Sequence, residues 1–92
     1  GAQRLAAVET ITRECVAVVA RMPAAGIDPD MPLRSLGINS LMALELRNEL
    51  EGRFEVALST TVILNHPTVR ELAPLVAHHA GIPLADPPAG KN

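Results

Sequence analysis

The chain has 92 residues, a formal net charge of −2 and an apolar fraction of 48%, so it can form one small domain with one modest core. Its longest uninterrupted apolar run, Cys15 to Ala20, is far too short to span a bilayer, and its N-terminus lacks a signal-peptide pattern, which predicts a cytoplasmic protein with no membrane partner. The near-neutral charge and the absence of a Lys/Arg cluster argue against nucleic acid as the main partner.

The core is predicted to be aliphatic, because Phe54 is the only aromatic residue. Apolar side chains recur at steps of three and four residues in the first segment, which predicts a helix that ends before Pro23. The expected inner stripe consists of Leu5, Val8, Ile11, Cys15, Val18 and Met22. Cys15 is the single cysteine, so no internal disulfide can form, and its place on this stripe predicts a buried structural thiol.

A long loop is predicted from Pro23 to Asn39, because the prolines and glycine at positions 23, 26, 29 and 32 do not fit one regular helix. A loop of this length in so small a domain must usually be attached to the core. We therefore expect Ile27, Leu33 and Leu36 to turn inward.

The second helix is predicted to begin at Asn39 or Ser40, either of which can cap free backbone N–H groups, and to end near Glu51, before Gly52. Its inner face should contain Ala43, Leu46 and Leu50. Its charged face contains two i,i+4 pairs, Arg47 with Glu51 and Glu49 with Arg53. The alternating segment from Phe54 to Leu58 is predicted to be a loop, since no second strand is available to pair with it.

Two further helices are predicted after this loop. Ser59 should cap a short third helix that continues to Leu64 and stops at Asn65-His66-Pro67, because the residue before a proline disfavours helical geometry. The fourth helix should begin with a capping box between Thr68 and Glu71, and Pro74 should produce a kink or a tighter first turn. Its apolar stripe consists of Val69, Leu72, Leu75 and Val76. The sequence thus predicts an all-α domain at residues 1–80, followed by a Pro/Gly-rich linker or tail at residues 81–92.

One role to consider for Ser40 is that of a hydrolase nucleophile, which requires a nearby base and usually a sharp strand-to-helix turn. The chain has no G-x-S-x-G motif, and a small helical bundle offers no evident cleft for a triad with His66, His78 or His79. His78 and His79 are adjacent, so they point to different helix faces, and no Cys or carboxylate cluster completes a metal site. We therefore predict neither catalytic activity nor a metal ion.

Ser40 alone is consistent with a simple helix cap. Its surroundings favour a further role, because a proline-broken loop and Leu36-Gly37 precede it and an apolar residue follows it at the helix start. A hydroxyl at a helix N-terminus lies in positive potential beside free N–H donors, which favours an attached phosphate. Ser40 is therefore a candidate site for a phosphodiester.

Two segments of the chain resemble the acyl carrier domains of type I modular polyketide synthases. The run LRSLGINSLMALELRNELE, residues 33–51, is similar to their Leu-Gly-x-Asp-Ser-Leu signature, which leads into a helix ending in Glu-Leu-Arg-Asn. The run LSTTVILNHPTVRELAPLV, residues 58–76, resembles the stretch that introduces their last two helices. The resemblance extends from about Leu5 to His79, and it implies a four-helix bundle with a short third helix.

The resemblance also implies a function. Ser40 matches the serine to which a phosphopantetheinyl transferase attaches the 4'-phosphopantetheine group of coenzyme A. Such a carrier performs no chemistry itself, but holds acyl and polyketide intermediates as thioesters and delivers them to the ketosynthase, acyltransferase and reductive domains of the synthase. The excised domain is expected to be monomeric.

By the same resemblance, partners should dock near the modified serine and along the second helix. The candidate docking residues are Asn39, Leu41, Met42, Leu44, Glu45 and Arg47. Leu41 and Leu44 have an alternative interpretation as packing residues at the bundle edge, whereas Met42 is expected to lie further toward solvent. Methionine suits a surface that fits several partners, and the two charges would tune partner choice.

Two alternatives remain open. A peptidyl carrier domain of a nonribosomal peptide synthetase shares the fold and the serine chemistry, although the Glu-Leu-Arg-Asn motif favours the polyketide family. A plain helical interaction module would keep the bundle without any modification of Ser40. The sequence also departs from the family at Asn39, where an aspartate is usual; asparagine keeps the capping oxygen but lacks the negative charge.

Overall fold

The computed structural model describes residues 2–82, and within them the chain forms four α-helices and no β-strand. The helices are α1 (Ala2–Ala20), α2 (Ser40–Phe54), α3 (Thr60–Asn65) and α4 (Val69–His79). Two short 3-10 helices, Ala24–Gly26 and Leu33–Leu36, lie in the long connection between α1 and α2. This confirms the predicted all-α fold with a long loop and a short third helix. From residue 83 onward, the predicted linker lies outside the described residues.

The core lies between α1, α2 and α4, because α1 packs along both of the other long helices while α3 contacts α2 and α4. The predicted inner face of α2 is confirmed, since Ala43, Leu46 and Leu50 are all buried. On α4 the buried apolar residues are Val69, Leu72, Ala73, Val76 and Ala77, whereas Leu75 is only half-buried. Full burial of a leucine or valine side chain contributes about 1.5–3 kcal/mol, so these aliphatic contacts hold the bundle together. None of the described helices is long and apolar enough to cross a membrane.

The inner face of α1 differs in part from the predicted stripe. Val8 and Cys15 are buried as expected, but Val18 is 58% exposed. The other buried positions of this helix are Thr12, Val16, Ala17 and Val19. A polar threonine fits this face because its hydroxyl donates a hydrogen bond of 2.7 Å to the carbonyl oxygen of Val8.

The single cysteine is a structural residue, as predicted. Cys15 is fully buried, and this desolvation raises the pKa of its thiol from 9.0 to about 11. The thiol therefore stays protonated at neutral pH. Because the thiolate is the reactive form, Cys15 is both inaccessible and chemically unreactive in the folded protein.

Helix α2 extends further than its sequence predicts. The predicted end near Glu51 is wrong, because α2 includes Gly52 and continues to Phe54, and Glu55 caps it with a positive φ of 54°. Gly52 is exposed, so the absence of a side chain there removes no core contact, and Phe54, two residues later, packs against the core. A helical glycine costs only about 1 kcal/mol relative to alanine, which packing of the last turn can offset.

The ion pairs of α2 also differ from the simple i,i+4 interpretation. Arg47 and Glu51 lie 4.0 Å apart (Nε to Oε1), as the spacing predicts. Arg53 does not pair with Glu49 as predicted; its Nη2 donates instead to Oε1 of Glu14 on α1, at 2.8 Å. This contact joins two helices, which explains why a pattern within one helix did not indicate it.

The long loop between α1 and α2 is attached to the rest of the bundle. Ile27 and Leu33 are buried as predicted and Leu36 is half-buried; Ile38, which the sequence interpretation did not include, is buried as well. The loop is also joined to the α3–α4 junction by backbone bonds, Leu33 N–H to Pro67 O at 2.7 Å and Arg70 N–H to Pro29 O at 3.0 Å. These contacts make the loop an ordered part of the bundle.

The two caps predicted for α3 and α4 have different outcomes. Ser59 occupies the N-cap position of α3, but its side chain makes no capping hydrogen bond, so this part of the prediction is wrong. Thr68 caps α4 as predicted: its Oγ1 accepts from the backbone N–H of Glu71 at 3.1 Å and its hydroxyl lies 3.1 Å from Oε2 of Glu71. The helix then runs through Pro74 to His79 without interruption.

The C-terminal end of α4 is closed by a pair of backbone hydrogen bonds. Gly81, with φ of 73°, donates to His78 O at 3.1 Å, and Ile82 donates to Ala77 O at 2.8 Å. This is the Schellman arrangement, in which a glycine adopts the left-handed conformation just after the helix. Ile82 also packs against the small buried cluster that includes Ala77.

We predict that Thr68→Ala lowers the free energy of unfolding by about 1 kcal/mol, because it removes the cap of α4. Urea unfolding followed by circular dichroism measures the change. The matched control is Thr61→Ala, since Thr61 is exposed on α3. Equal stabilities of the Thr68 and Thr61 variants would contradict a stabilising cap at Thr68.

Candidate functional site

Ser40 is the first residue of α2, and Asn39 before it is the N-cap. The side chain of Asn39 accepts a hydrogen bond of 2.9 Å from the backbone N–H of Met42. Ser40 itself is exposed, and its hydroxyl makes no hydrogen bond within residues 2–82. The capping role that the sequence allowed for either residue therefore belongs to Asn39, which leaves the Ser40 hydroxyl available for another purpose.

The first turn of α2 keeps free hydrogen-bond donors. A helix begins with N–H groups that have no partner inside the helix. Asn39 satisfies the N–H of Met42 with its side chain, whereas the N–H groups of Ser40 and Leu41 have no acceptor within the described part of the chain. Together with the helix dipole, these donors favour a negatively charged group beside Ser40.

Ser40 lies at a groove of about 500 Å³ that three segments of the chain form together. Its walls come from the loop, the start of α2 and the region of α3: Pro32, Leu33, Arg34, Ile38, Asn39, Ser40, Ala43, Ile63, Leu64 and Pro67. Most of these side chains are apolar. Among the described residues that line the groove, Arg34 is the one charged side chain, and no acidic residue occurs in the first turn of α2.

The histidines do not form a catalytic group with Ser40. His66 Nδ1 lies 3.9 Å from Oε1 of Glu71, and His79 Nδ1 lies 2.9 Å from the carbonyl oxygen of Leu75. Residues 2–82 contain no group of three or more His, Cys, Asp or Glu side chains that could hold a metal ion. Within the described region, no histidine or carboxylate is hydrogen-bonded to the Ser40 hydroxyl.

The side-chain exposure of the docking candidates on α2 differs from the prediction. Leu41 is 68% exposed, which argues against packing at the bundle edge, whereas Leu44 is 39% exposed and therefore partly covered. Met42, expected nearer to solvent, is instead half-buried and packs against the main core cluster. The reason is the helical phase: Met42 precedes Leu46 by four residues, so it lies above this fully buried side chain on the inner face.

Sequence reasoning missed several residues of the groove. Leu64 is 57% exposed beside Ser40, although the sequence marks it only as the end of a helix. Arg34 and Ile38 also line the groove but were not candidates. The available signal was the alternation around Ile63, which is buried and therefore turns Leu64 outward.

Of the two charged docking candidates on α2, Glu45 is exposed and Arg47 is half-buried.

These features define a small helical domain in which the unbonded hydroxyl of Ser40 lies at the N-terminus of α2, beside a mostly apolar groove. The profile of the family described as "Phosphopantetheine attachment site" matches residues 11–76, which include Ser40 and most of the bundle. The chain belongs to this family of carrier domains, whose members bear covalently attached 4'-phosphopantetheine.

Polyketide synthases occur among the relatives of this chain. It is 43% identical over 65 residues to a component of the phenolphthiocerol/phthiocerol polyketide synthase of Mycobacterium tuberculosis, an alignment that covers 71% of this chain and 4% of the relative. It is 38% identical over 74 residues to pikromycin polyketide synthase component PikAII of Streptomyces venezuelae, covering 79% of this chain and 2% of that protein. The chain thus spans only a few per cent of the length of these synthases, consistent with an acyl carrier domain within them.

Solved carrier domains have the same fold. An A1-type ACP domain from module 5 of MLSA1 superposes with a TM-score of 0.77 at 28% identity, covering 84% of this chain and 78% of that one. A free-standing peptidyl carrier protein from Acinetobacter baumannii gives a TM-score of 0.73 at 31% identity, covering 80% and 92% of the two chains. The bundle is therefore common to acyl and peptidyl carriers.

The residues around Ser40 fit the phosphate end of the family's cofactor. The hydroxyl is exposed, free N–H donors lie in the same helical turn, and the groove contains a guanidinium without a carboxylate among its described lining residues. Each of these features favours an anion rather than opposing it. Ser40 would hold the group through its Oγ, and the apolar groove walls would lie beside the start of the arm.

We predict that Asn39→Ala lowers the free energy of unfolding by about 1 kcal/mol, because it removes the cap of α2. The measurement is the urea midpoint of the unmodified protein. Asn48→Ala is the matched control, since Asn48 is exposed within the same helix, where alanine is a better helix former. A loss of stability as large in the Asn48 variant would contradict the capping assignment.

Proposed function

We propose that this chain is an acyl carrier domain of a polyketide synthase that carries 4'-phosphopantetheine on Ser40. The observation that supports this most directly is the exposed, unbonded hydroxyl of Ser40 at the first position of α2, inside the segment that matches the attachment-site family. When bound, the cofactor supplies a flexible arm whose terminal thiol carries acyl and polyketide groups as thioesters between the catalytic domains. The proposal places the domain in the cytoplasm, where coenzyme A is available.

The chain's own part in the attachment is to present a serine oxygen in an accessible place. Ser40 Oγ forms a bond to the pantetheine-bearing phosphorus of coenzyme A, the phosphoanhydride bond to the adenosine portion breaks, and the hydroxyl proton is released. No histidine or carboxylate is hydrogen-bonded to Ser40 within residues 2–82, so the proposal assigns the proton acceptor to the phosphopantetheinyl transferase. In this proposal the domain is a substrate of the transferase and not a catalyst.

Partner domains are proposed to dock on the exposed part of α2. Leu41 and Leu44 offer apolar contact area next to Ser40, and Glu45 and Arg47 border it with opposite charges. Charges at the rim of an interface mainly affect partner choice and the rate of association. Met42 contributes only the exposed fraction of its side chain, because the rest packs into the core.

Delivery by such a domain depends on tethering. An arm and a flexible linker convert each encounter with a catalytic domain into an intramolecular event with a high effective concentration. The domain itself can therefore bind each partner weakly and leave quickly. Ketosynthase, acyltransferase and reductive domains would all be served from one monomeric carrier by this means.

A peptidyl carrier domain is the second candidate, and the match to the free-standing peptidyl carrier protein supports it. The bundle does not separate the two, since an ACP domain superposes equally well. The polyketide synthase relatives and the Glu-Leu-Arg-Asn segment at residues 45–48 favour the acyl carrier. An unmodified helical interaction module is the third candidate, and the modification experiment distinguishes it from both carriers.

We predict that incubation with coenzyme A, Mg²⁺ and a phosphopantetheinyl transferase adds one phosphopantetheine group to the wild-type chain and none to Ser40→Ala. Intact mass measures the addition, and circular dichroism should show that the alanine variant remains helical. Ser35→Ala is the matched control, because Ser35 is an exposed serine in the connection just before α2 and should not affect modification. An unmodified wild type, or a modified Ser40→Ala variant, would contradict the assignment of Ser40.

We also predict that Asn39→Asp raises the catalytic efficiency of the transferase several-fold, up to about tenfold, which corresponds to about 1.4 kcal/mol. The aspartate would keep the cap and add the negative charge that is usual at this position, where it can assist in holding Mg²⁺ or contact a basic surface. The melting temperature should change little. Steady-state kinetics with one transferase, at low and high ionic strength, measure the effect.

The matched control for this charge is Asn48→Asp, which makes the same chemical change on α2 away from its N-terminus. If long-range attraction is involved, the advantage of Asn39→Asp should shrink in high salt. Equal efficiencies of the wild type and the Asn39→Asp variant would mean that the carboxylate is dispensable and that Asn39 matters only as a cap.

A further inference from the structure

Arg34 is held in a fixed place near Ser40. It lies in the 3-10 helix Leu33–Leu36, whose first residue is buried and whose backbone is bonded to Pro67 at 2.7 Å. The carbonyl of Arg34 also accepts from Gly37 N–H at 3.0 Å. Its side chain is exposed and lines the same groove as Ser40. The backbone of Arg34 is thus fixed while its guanidinium remains free to reach a ligand.

The guanidinium of Arg34 has no partner within the described residues. The arginines at positions 47, 53 and 70 each form an ion pair with a carboxylate, but Arg34 forms neither an ion pair nor a hydrogen bond through its side chain. The groove it lines has no acidic side chain among residues 2–82, and Asn39 is neutral. The positive charge of Arg34 therefore adds to the positive end of α2 without compensation.

We propose that Arg34 binds the phosphodiester of the arm on Ser40 and so positions the start of the arm along the groove. This inference rests on the proposed attachment at Ser40. A phosphodiester bonded to Ser40 Oγ brings two non-bridging oxygens that share one negative charge, and a planar guanidinium is suited to contact both with paired N–H donors. Arg34 acts in this as a positioning residue, since the acyl group reacts at the far end of the arm.

A contact of this kind makes modification itself stabilising. The pair is exposed to solvent, so its contribution is small and depends on salt. In the wild type, attachment of the arm should raise the folding equilibrium constant by about two- to fivefold more than it does in Arg34→Gln, as expected for one exposed ion pair. The favourable interaction with the helix N-terminus remains in both proteins and cancels in this comparison.

The test compares unmodified and modified forms of the full chain in four proteins: the wild type, Arg34→Gln, Arg34→Lys and Arg21→Gln. Arg21 is the matched control because it is exposed, forms no ion pair in the described structure and lines a different groove, beside Glu45 and Glu49. Intact mass first verifies complete modification of each protein. Urea unfolding then gives the change in stability on modification, at low salt and in about 1 M NaCl, where screening is nearly complete.

A second readout reports the contact directly. The two signals are the NMR resonances of the Arg34 Nε–H group and of the phosphorus. We expect the Nε–H signal to move on modification, and the phosphorus signal to differ between wild type and Arg34→Gln but not between wild type and Arg21→Gln. Arg34→Lys should retain part of the stabilisation, since it keeps the charge but not the planar pair of donors.

The inference is overturned if modification stabilises the wild type and Arg34→Gln equally while the two NMR signals are unchanged. It is also overturned if Arg21→Gln has the same effect as Arg34→Gln, because net charge alone would then account for the result. Failure of the wild type to gain the arm would instead contradict the proposed function at Ser40, and intact mass identifies that outcome before any stability is compared.

Discussion

The geometry of the site depends on the attachment of the α1–α2 loop to the α3–α4 junction. Two backbone hydrogen bonds, Leu33 N–H to Pro67 O and Arg70 N–H to Pro29 O, join segments more than thirty residues apart in sequence. The hydrogen bonds inside the loop shape only its local turns, so bonds to another segment are what fix its position on the bundle. Because Asn39 and Ser40 follow directly, this attachment fixes where the start of α2 lies relative to Leu64 and the groove.

At the start of α2, the capping oxygen and the exposed hydroxyl belong to two different residues. Asn39 provides the capping oxygen, so the hydroxyl of Ser40 is not needed for the stability of the helix. Under the proposed function, a structural hydrogen bond from the Ser40 hydroxyl would be lost on modification, with a loss of stability. The side chain of Asn39 is neutral, so within the described groove it compensates neither the positive end of the α2 dipole nor the charge of Arg34.

The sequence predicts the elements of this domain better than the relations between them. The inner face of α2 and the cap at Thr68 follow from spacing within one helix, and both are confirmed. The predicted orientation of Met42 was wrong, because the phase of α2 places Met42 above the buried Leu46 on the inner face. The predicted partner of Arg53 was wrong because another helix provides Glu14. Arg34 and Leu64 were not predicted as site residues, because the groove that they line forms only where the loop, α2 and α3 meet.

Among the described residues, few large apolar side chains are exposed around Ser40, which is consistent with the weak, brief docking proposed above. Leu41, Leu44 and Leu64 are separate side chains on a small surface, whereas a stable complex usually buries about 1,200–2,000 Å² in total. A carrier that served many domains through a large interface would release each of them slowly, since affinity differences appear mainly in the rate of dissociation. A small contact area combined with a tether therefore suits repeated delivery: the tether provides the local concentration, and the weak surface allows departure.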